Sequence, residues 1–227
     1  MQLTYFGHSC FSVVLNGKTL LFDPFISYNP LAKHIDFKSI KADFILLSHG
    51  HADHVADVGA LAAQTGALVI GSHEVTEWFK KNGVENVHGM NPGGKTAFPF
   101  GTLRGVAAVH SSSMPDGSYG GNPMGLVIES NDGCLYYSGD TALTMDMKLL
   151  PLICAPIDVA VMPIGGNYTM DAADAALAAE WIQCKSAIGV HYNTFPPIAI
   201  DITAAKEVFN ATKIPLWLPA IGETITI

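Results

Sequence analysis

Phe44-Ile45-Leu46-Leu47-Ser48-His49-Gly50-His51-Ala52-Asp53-His54 passes from an uninterrupted apolar run straight into the densest group of metal-binding side chains in the sequence. The apolar run suits a strand buried on both faces. It stops at a loop holding three histidines and an aspartate. Imidazole and carboxylate together suit zinc, manganese or iron far better than calcium or magnesium. In extended backbone, side chains two apart point the same way. His49 and His51 can therefore grip one ion while Asp53 and His54, turning into a following helix, face a second. A lone histidine is most often a hydrogen-bonded structural residue. Four ligand types packed together, in a chain only 14% charged, read as a metal site instead.

Working outward, three more candidate ligands stand where apolar runs give way to loops. His110 follows Leu103–Val109 and opens Ser111-Ser112-Ser113. Asp140 follows Tyr136-Tyr137-Ser138-Gly139, where glycine permits a close backbone approach. His191 follows Ile188-Gly189-Val190. Loops carried on a rigid scaffold are the usual seat of functional residues. Each of the three alone reads equally well as a satisfied polar group; with the first loop they form a set.

The rest of the pattern supplies the scaffold. Leu3–Phe6, Cys10–Leu15 and Thr19–Phe22 read as strands, the last two joined by the hairpin dipeptide Asn16-Gly17. Val55, Val58, Leu61 and Ala62 recur at helical spacing up to Gly66. Ala67–Ile70 follows as a strand and Glu74–Lys81 as a helix. Beyond Thr102 the strands are Leu103–Val109, Gly125–Glu129, Cys134–Tyr137, Val159–Pro163, Ile188–Val190 and Leu216–Leu218. Helices are expected at Met145–Leu150, Asp171–Ile182 (with Thr169 as a candidate cap) and Ile202–Phe209. Each half offers a sheet and covering helices, so the expected class is α+β: two sheets face to face with helices outside, in one domain over residues 1–227.

Composition narrows the function. Hydrophobic residues make up 49% of the 227, ample for a core and incompatible with disorder. Twelve Lys+Arg against 20 Asp+Glu leave a net charge of −8, a poor match for nucleic acid. No run reaches a membrane span, and MQLTYFGHSC lacks an export signal. The four cysteines form no CxxC pair and read as reduced thiols, which points to the cytoplasm.

His49-Gly50-His51-Ala52-Asp53-His54, His110, Asp140 and His191 together resemble the HxHxDH–His–Asp–His signature of the metallo-β-lactamase superfamily. The resemblance spans essentially the whole chain. Gly7-His8-Ser9-Cys10, Asp23-Pro24, Gly165–Asp171 and His191-Tyr192-Asn193-Thr194-Phe195-Pro196 are similar to the branch of bacterial metal-dependent hydrolases akin to L-ascorbate-6-phosphate lactonase. The resemblance implies a four-layer αββα sandwich and two divalent metal ions, zinc first, with manganese or iron as alternatives. It implies that His49, His51 and His110 bind one ion, that Asp53, His54 and His191 bind the other, and that Asp140 bridges them. A water or hydroxide between the ions would be the nucleophile, with Asp53 doubling as proton acceptor.

Four further residues stand near this set. His8 either lines the site or caps the first strand. Asp23 either orients a ligand histidine through its second nitrogen or makes a turn. Asn193 and Thr194, beside His191, are candidate substrate contacts. The expected function is hydrolysis of a small, potentially anionic ester, lactone or phosphodiester, the partner being a small molecule; the apolar fraction also permits a homo-oligomer. An RNA- or DNA-processing nuclease of the same superfamily is the alternative, although the acidic balance and ordinary spacing between motifs disfavour it. A di-iron redox protein would carry Glu where His51 stands, and a non-catalytic metal-binding protein leaves the bridging carboxylate without a purpose.

Overall fold

Two seven-stranded sheets lie face to face in a computed structural model that describes residues 1–227. The first opens as an antiparallel meander of β1 (Gln2–Gly7), β2 (Cys10–Leu15) and β3 (Lys18–Phe22). It continues in parallel through β4 (Phe44–Leu46), β5 (Leu68–Ser72) and β6 (Val87–Met90). The second begins with β7 (Lys95–Phe98), β8 (Gly101–Ala107), β9 (Met124–Ser130) and β10 (Gly133–Tyr137), all antiparallel neighbours. It continues in parallel through β11 (Val159–Pro163), β12 (Ser186–Val190) and β13 (Leu216–Trp217). Finally β14 (Thr224–Thr226) returns to pair with β1.

Alternation along the strands sorts side chains into three apolar layers. Leu20, Phe22, Phe44 and Leu46 point between the sheets, meeting Leu126, Ile128, Tyr137 and Val161 of the second. Leu21, Ile45 and Leu47 point the other way, under α1 (Ala52–Val55), α2 (Val58–Thr65) and α3 (His73–Lys81). On the far side, Val127, Tyr136, Ala160 and Ala187 are covered by α4 (Leu150–Ile153), α5 (Ala172–Ile182) and α6 (Ile202–Asn210). The order is thus helix, sheet, sheet, helix, the expected αββα sandwich. Small residues Ala175, Ala176, Ala178 and Ala179 let α5 lie close on its sheet. No helix is long and apolar enough to cross a membrane.

Several boundaries differ from the sequence reading, each for a local reason. The helix expected across Val55–Gly66 is two helices, because Asp57 leaves helical geometry and its carboxylate accepts from Ile26 N and Ser27 N. Gly66 does close the second in the left-handed conformation, φ 71°. Met145–Leu149 is a short 3₁₀ turn that passes into α4, with Pro151 in its first turn. Asp171 rather than Thr169 caps α5, its carboxylate accepting from Ala173 N and Asp174 N, each at 2.9 Å. Strand β8 ends at Ala107; Val109 peels off because its N–H donates to Thr141 Oγ1 at 2.9 Å.

Candidate metal centre

Every ligand-bearing segment emerges at the same edge of the sandwich, just past a strand. His8 follows β1, Asp23 follows β3, the His49–His54 loop follows β4, and Asp140 and His191 follow β10 and β12. Three of the residues with left-handed backbone are His8 (φ 55°), Asp23 (φ 39°) and His191 (φ 55°). Such conformations cost on the order of 1–3 kcal/mol each and gather at functional sites. The approach is close enough to demand glycine: a Cβ on Gly139 would sit 2.6 Å from Ser48 Cβ.

Two groups of ligand atoms converge there. His49, His51 and His110 form one, and Asp53, His54, His191 and His8 the other, with Asp23, His49 and His54 making a third cluster behind them; within each, the ligand atoms lie within 4.8 Å of one another. His49 Nε2 and His51 Nδ1 are 2.8 Å apart. Asp140 stands between the groups: its Oδ2 is 3.3 Å from His54 Nε2, 3.7 Å from His110 Nε2 and 3.0 Å from His191 Nε2.

Buried atoms here lack partners, which tests whether cations fit. His54 Nε2, Asp140 Oδ1 and His191 Nδ1 are buried without a hydrogen bond. An unsatisfied buried polar atom costs about 1–3 kcal/mol, more when charged. Neutral imidazoles and ionised carboxylates facing a common point are the donor set that zinc, manganese or iron takes, so the residues present fit such ions.

Protonation agrees with this at His49, His51 and His110, while His54 holds a proton where an ion would replace it. Burial holds His49, His51 and His110 below the usual imidazole value, and brings His8 down to about 4. Burial alone would raise the Asp53 and Asp140 carboxyls. It is outweighed at Asp53 by the His8 hydrogen bond and at Asp140 by His54 and His191, so both stay ionised. At His54 burial is overcome by Asp140 on one side and Asp23 on the other, and its pKa rises well above the usual value. These carboxylates draw positive charge to one spot.

Around the ligands runs a layer of orienting hydrogen bonds. Asp23 Oδ2 accepts from His54 Nδ1 at 2.7 Å, from Tyr137 Oη at 2.6 Å and from Ser48 Oγ. Its Oδ1 accepts from Ser48 N at 2.8 Å. With Nδ1–H committed to Asp23, His54 aims its Nε2 inward, where loss of that atom's proton would free a lone pair for an ion. Ser48 gives its proton to Asp23 and so accepts from His49 Nδ1 at 2.9 Å, which frees His49 Nε2. His8 donates through Nε2 to Asp53 Oδ2 at 3.0 Å, while its Nδ1 meets Thr194 Oγ1 at 3.0 Å. The His8 carbonyl accepts from His191 N at 2.8 Å, lacing the end of β1 to the end of β12.

The structure therefore brings together His49, His51, Asp53, His54, His110, Asp140 and His191, with His8, Asp23 and Thr194 directly behind them. Asn193 is the exception. Expected as a substrate contact, it serves its own loop, its Oδ1 accepting from Ile200 N at 2.8 Å. Sequence reasoning passed over Ser48 and Tyr137, which anchor Asp23, and Ser112, whose Oγ accepts from Gly50 N at 3.1 Å. Ser48 stood in the quoted stretch; Tyr137 carried no signal apart from its apolar strand.

Comparison with known proteins accords with this arrangement. The family described as the beta-lactamase superfamily domain matches residues 2–191. The chain belongs to the metallo-β-lactamase superfamily. It is 45% identical to a UPF0173 metal-dependent hydrolase of Methylacidiphilum infernorum, covering 100% of both chains. It is 46% identical to one from Flavobacterium johnsoniae, again with 100% of each covered. Among solved structures it is similar to Igni18, a metallo hydrolase from Ignicoccus hospitalis, with 34% identity and a TM-score of 0.87 over 99% of this chain and 97% of that one. A possible metal-dependent hydrolase from Veillonella parvula shares the fold, with a TM-score of 0.81 at 19% identity over 100% and 99% of the two chains.

Proposed function

We propose that this superfamily member is a hydrolase with a two-ion centre, cleaving a small ester, lactone or phosphodiester. The carrying observation is Asp140, whose Oδ2 lies within 3.0–3.7 Å of a nitrogen on His54, His110 and His191 while its Oδ1 is unsatisfied. A carboxylate so poised joins two ligand groups. His49, His51 and His110 would hold one ion, Asp53, His54 and His191 the second, and Asp140 both; zinc is the first expectation, then manganese or iron. Bound there, such ions supply Lewis acidity and bring the pKa of water down toward ~7.

The chain's own groups do the remaining work. Asp23 and Ser48 fix the tautomers of His54 and His49, and His8 holds one oxygen of Asp53. Asp53 is also the ligand carboxylate most open to solvent, its side chain 31% exposed against 4% for Asp140, and so the one that a proton released at the centre can reach. The curated relatives' description as metal-dependent hydrolases supports the reading. The net charge of −8 favours a small molecule over nucleic acid as substrate.

Elemental analysis of protein purified without a histidine tag or added metal tests it. Close to two transition-metal ions per chain is the expected result. One ion would replace the two-ion reading with a mononuclear one, and none after incubation with zinc or manganese would overturn the metal centre.

A further inference from the structure

The segments that carry the centre are 22–32, 47–57, 107–124, 137–147, 163–171 and 190–200, and none of them contains Lys or Arg; Lys33 and Lys148 follow two of them directly, and the Lys148 ammonium is turned onto the Trp181 ring, 4.2 Å from its centroid. Histidines aside, the segments' charged residues are all aspartates. Apart from Asp23, Asp53 and Asp140, each carboxylate is committed. Asp57 takes Ile26 N and Ser27 N; Asp116 takes Trp78 Nε1 and Ser118; Asp146 takes Thr144 Oγ1; Asp171 caps α5. Proteins that bind phosphate or carboxylate groups recruit Arg forks or Lys ammonium groups for them. The loops here provide neither.

Large apolar side chains stand on these loops instead. Tyr28, Val109, Met145 and Tyr168 are 70, 53, 63 and 59% exposed. Each stands on a segment hydrogen-bonded to one that carries a candidate ligand. Thr141, next to Asp140, receives Val109 N on its hydroxyl at 2.9 Å and Met170 N on its carbonyl at 3.0 Å, while Val109 O receives Ala142 N at 3.0 Å. These bonds join the segments of Val109, Met145 and Tyr168 beside His110 and Asp140. At the foot of the Tyr168 loop, Gly165 abuts the His191 carbonyl. Tyr28 follows Ser27, held by Asp57 just beyond α1. Tyr119, 67% exposed, stands apart from these and lines a separate hollow with Glu77, Trp78 and Lys81. Apolar surface left exposed beside a site of reaction marks a ligand-binding wall, and few polar groups with several aromatic ones is the usual lining of a small-molecule site.

We infer that the centre takes an uncharged substrate with an apolar or aryl flank, a neutral ester or lactone, and discriminates against phosphorylated or carboxylated analogues. This rests on the hydrolase reading above and narrows it. Cleavage of such an ester consumes one water, breaks the acyl carbon–oxygen bond, and releases the acid and the alcohol or phenol, with no other co-reactant. Two divalent ions bound there would carry formal charge, of which Asp53 and Asp140 would offset part, and the surrounding loops would add none.

Two matched pairs of compounds test the inference. The metal-loaded chain is assayed with phenyl butyrate and its 4-carboxy derivative. The metal-free chain is examined by saturation-transfer NMR with N-methylphenylacetamide and phenylphosphonate. The expected results are a kcat/KM roughly tenfold or more higher for the neutral ester and transfer to the amide's aryl protons but not the phosphonate's. Both preferences should collapse in a Met145→Ser, Tyr168→Ser double variant and persist in Leu152→Ala, which removes an equally exposed side chain from α4. Equal or better handling of the anionic compound overturns the inference. So do binding of neither compound and an unchanged preference in the double variant. Amide binding that follows the expected pattern without turnover of any ester supports the apolar wall and sinks the hydrolase reading instead.

Discussion

Strand for strand the two sheets correspond, β14-β1-β2-β3-β4-β5-β6 against β7-β8-β9-β10-β11-β12-β13, yet their loops are used differently. In the first half one loop, after β4, holds four ligand candidates; its counterpart after β11 is Ile164-Gly165-Gly166 and holds none. In the second half the ligands are spread singly, with His110 beyond β8, Asp140 beyond β10 and His191 beyond β12. Asp23 and Asp140 occupy matching positions past β3 and β10, and the imidazole of His54 lies between them, 2.7 Å and 3.3 Å from their carboxylates. One member of the pair faces the ligand cluster and the other stands behind it. A crowded loop needs side-chain anchors such as Asp23, Asp57 and Ser112, whereas a solitary ligand at a strand end is fixed by the strand itself.

Replacing the two matching carboxylates should separate their roles. Asp140→Asn is expected to lower turnover by more than about a hundredfold and to reduce metal content, with circular dichroism unchanged. Asp23→Asn should weaken metal affinity by roughly ten- to a hundredfold, with turnover restored at high metal concentration. Equal losses that excess metal cannot rescue would erase the distinction.

Acid tests the junction between the halves. His8 ionises near 4 when folded and near 6.5 when free. The unfolded chain therefore binds the extra proton, and stability falls as pH drops from 6.5 toward 4. That one group accounts for about 3 kcal/mol. Burial of His49, His51 and His110 works in the same direction. The raised pKa of His54 acts elsewhere, since its contribution is complete below 6.5 and fades only at higher pH. Urea unfolding in chelator at pH 7 and pH 4.5 reads the slope, and His8→Gln should flatten it.

Two glycines sharpen the comparison further. A methyl on Gly165 would meet the His191 carbonyl oxygen at 2.2 Å, and backbone there has no room to retreat. On Gly50 it would meet Met114 Sδ at 2.6 Å, a side-chain atom that can shift, with the nearest backbone, the Ser113 carbonyl oxygen, at 3.2 Å. Gly165→Ala should cost about 1–3 kcal/mol and lower the melting temperature more than Gly50→Ala; the reverse order would show the ligand-rich loop to be the stiffer one. Smallest of all, Cys184→Ser should leave turnover unchanged and cost about 1 kcal/mol of stability, because Cys184 is buried beneath α5, remote from the ligands.

What could be read in advance follows from how local each signal is. Phe44–Leu47 is apolar at every position because β4 is buried on both faces, and that announced both the strand and the loop after it. His110, Asp140 and His191 were legible because each ends an apolar run. Strands β6, β7 and β14 were not, since Val87-His88-Gly89-Met90 and Lys95-Thr96-Ala97-Phe98 become strands only through their neighbours. Tyr137 resembled any core aromatic until its hydroxyl was seen on Asp23. Asn193, beside a candidate ligand, also satisfies loop backbone at Ile200 N, a second use that its position in the sequence does not reveal. The empty charge pattern of the mouth emerged only once six distant segments were known to share one edge.

The pairing of β14 with β1 bears on how the molecule comes into being. Leu3 lies opposite Ile225, and Met1 and Ile227 exchange hydrogen bonds through their ends. During synthesis on the ribosome, then, the sheet that is made first is also finished last. The His49–His54 loop emerges long before Asp140 and His191 exist to complete its surroundings, and its histidines must wait, in a cell full of competing ions, for the rest of the chain to arrive.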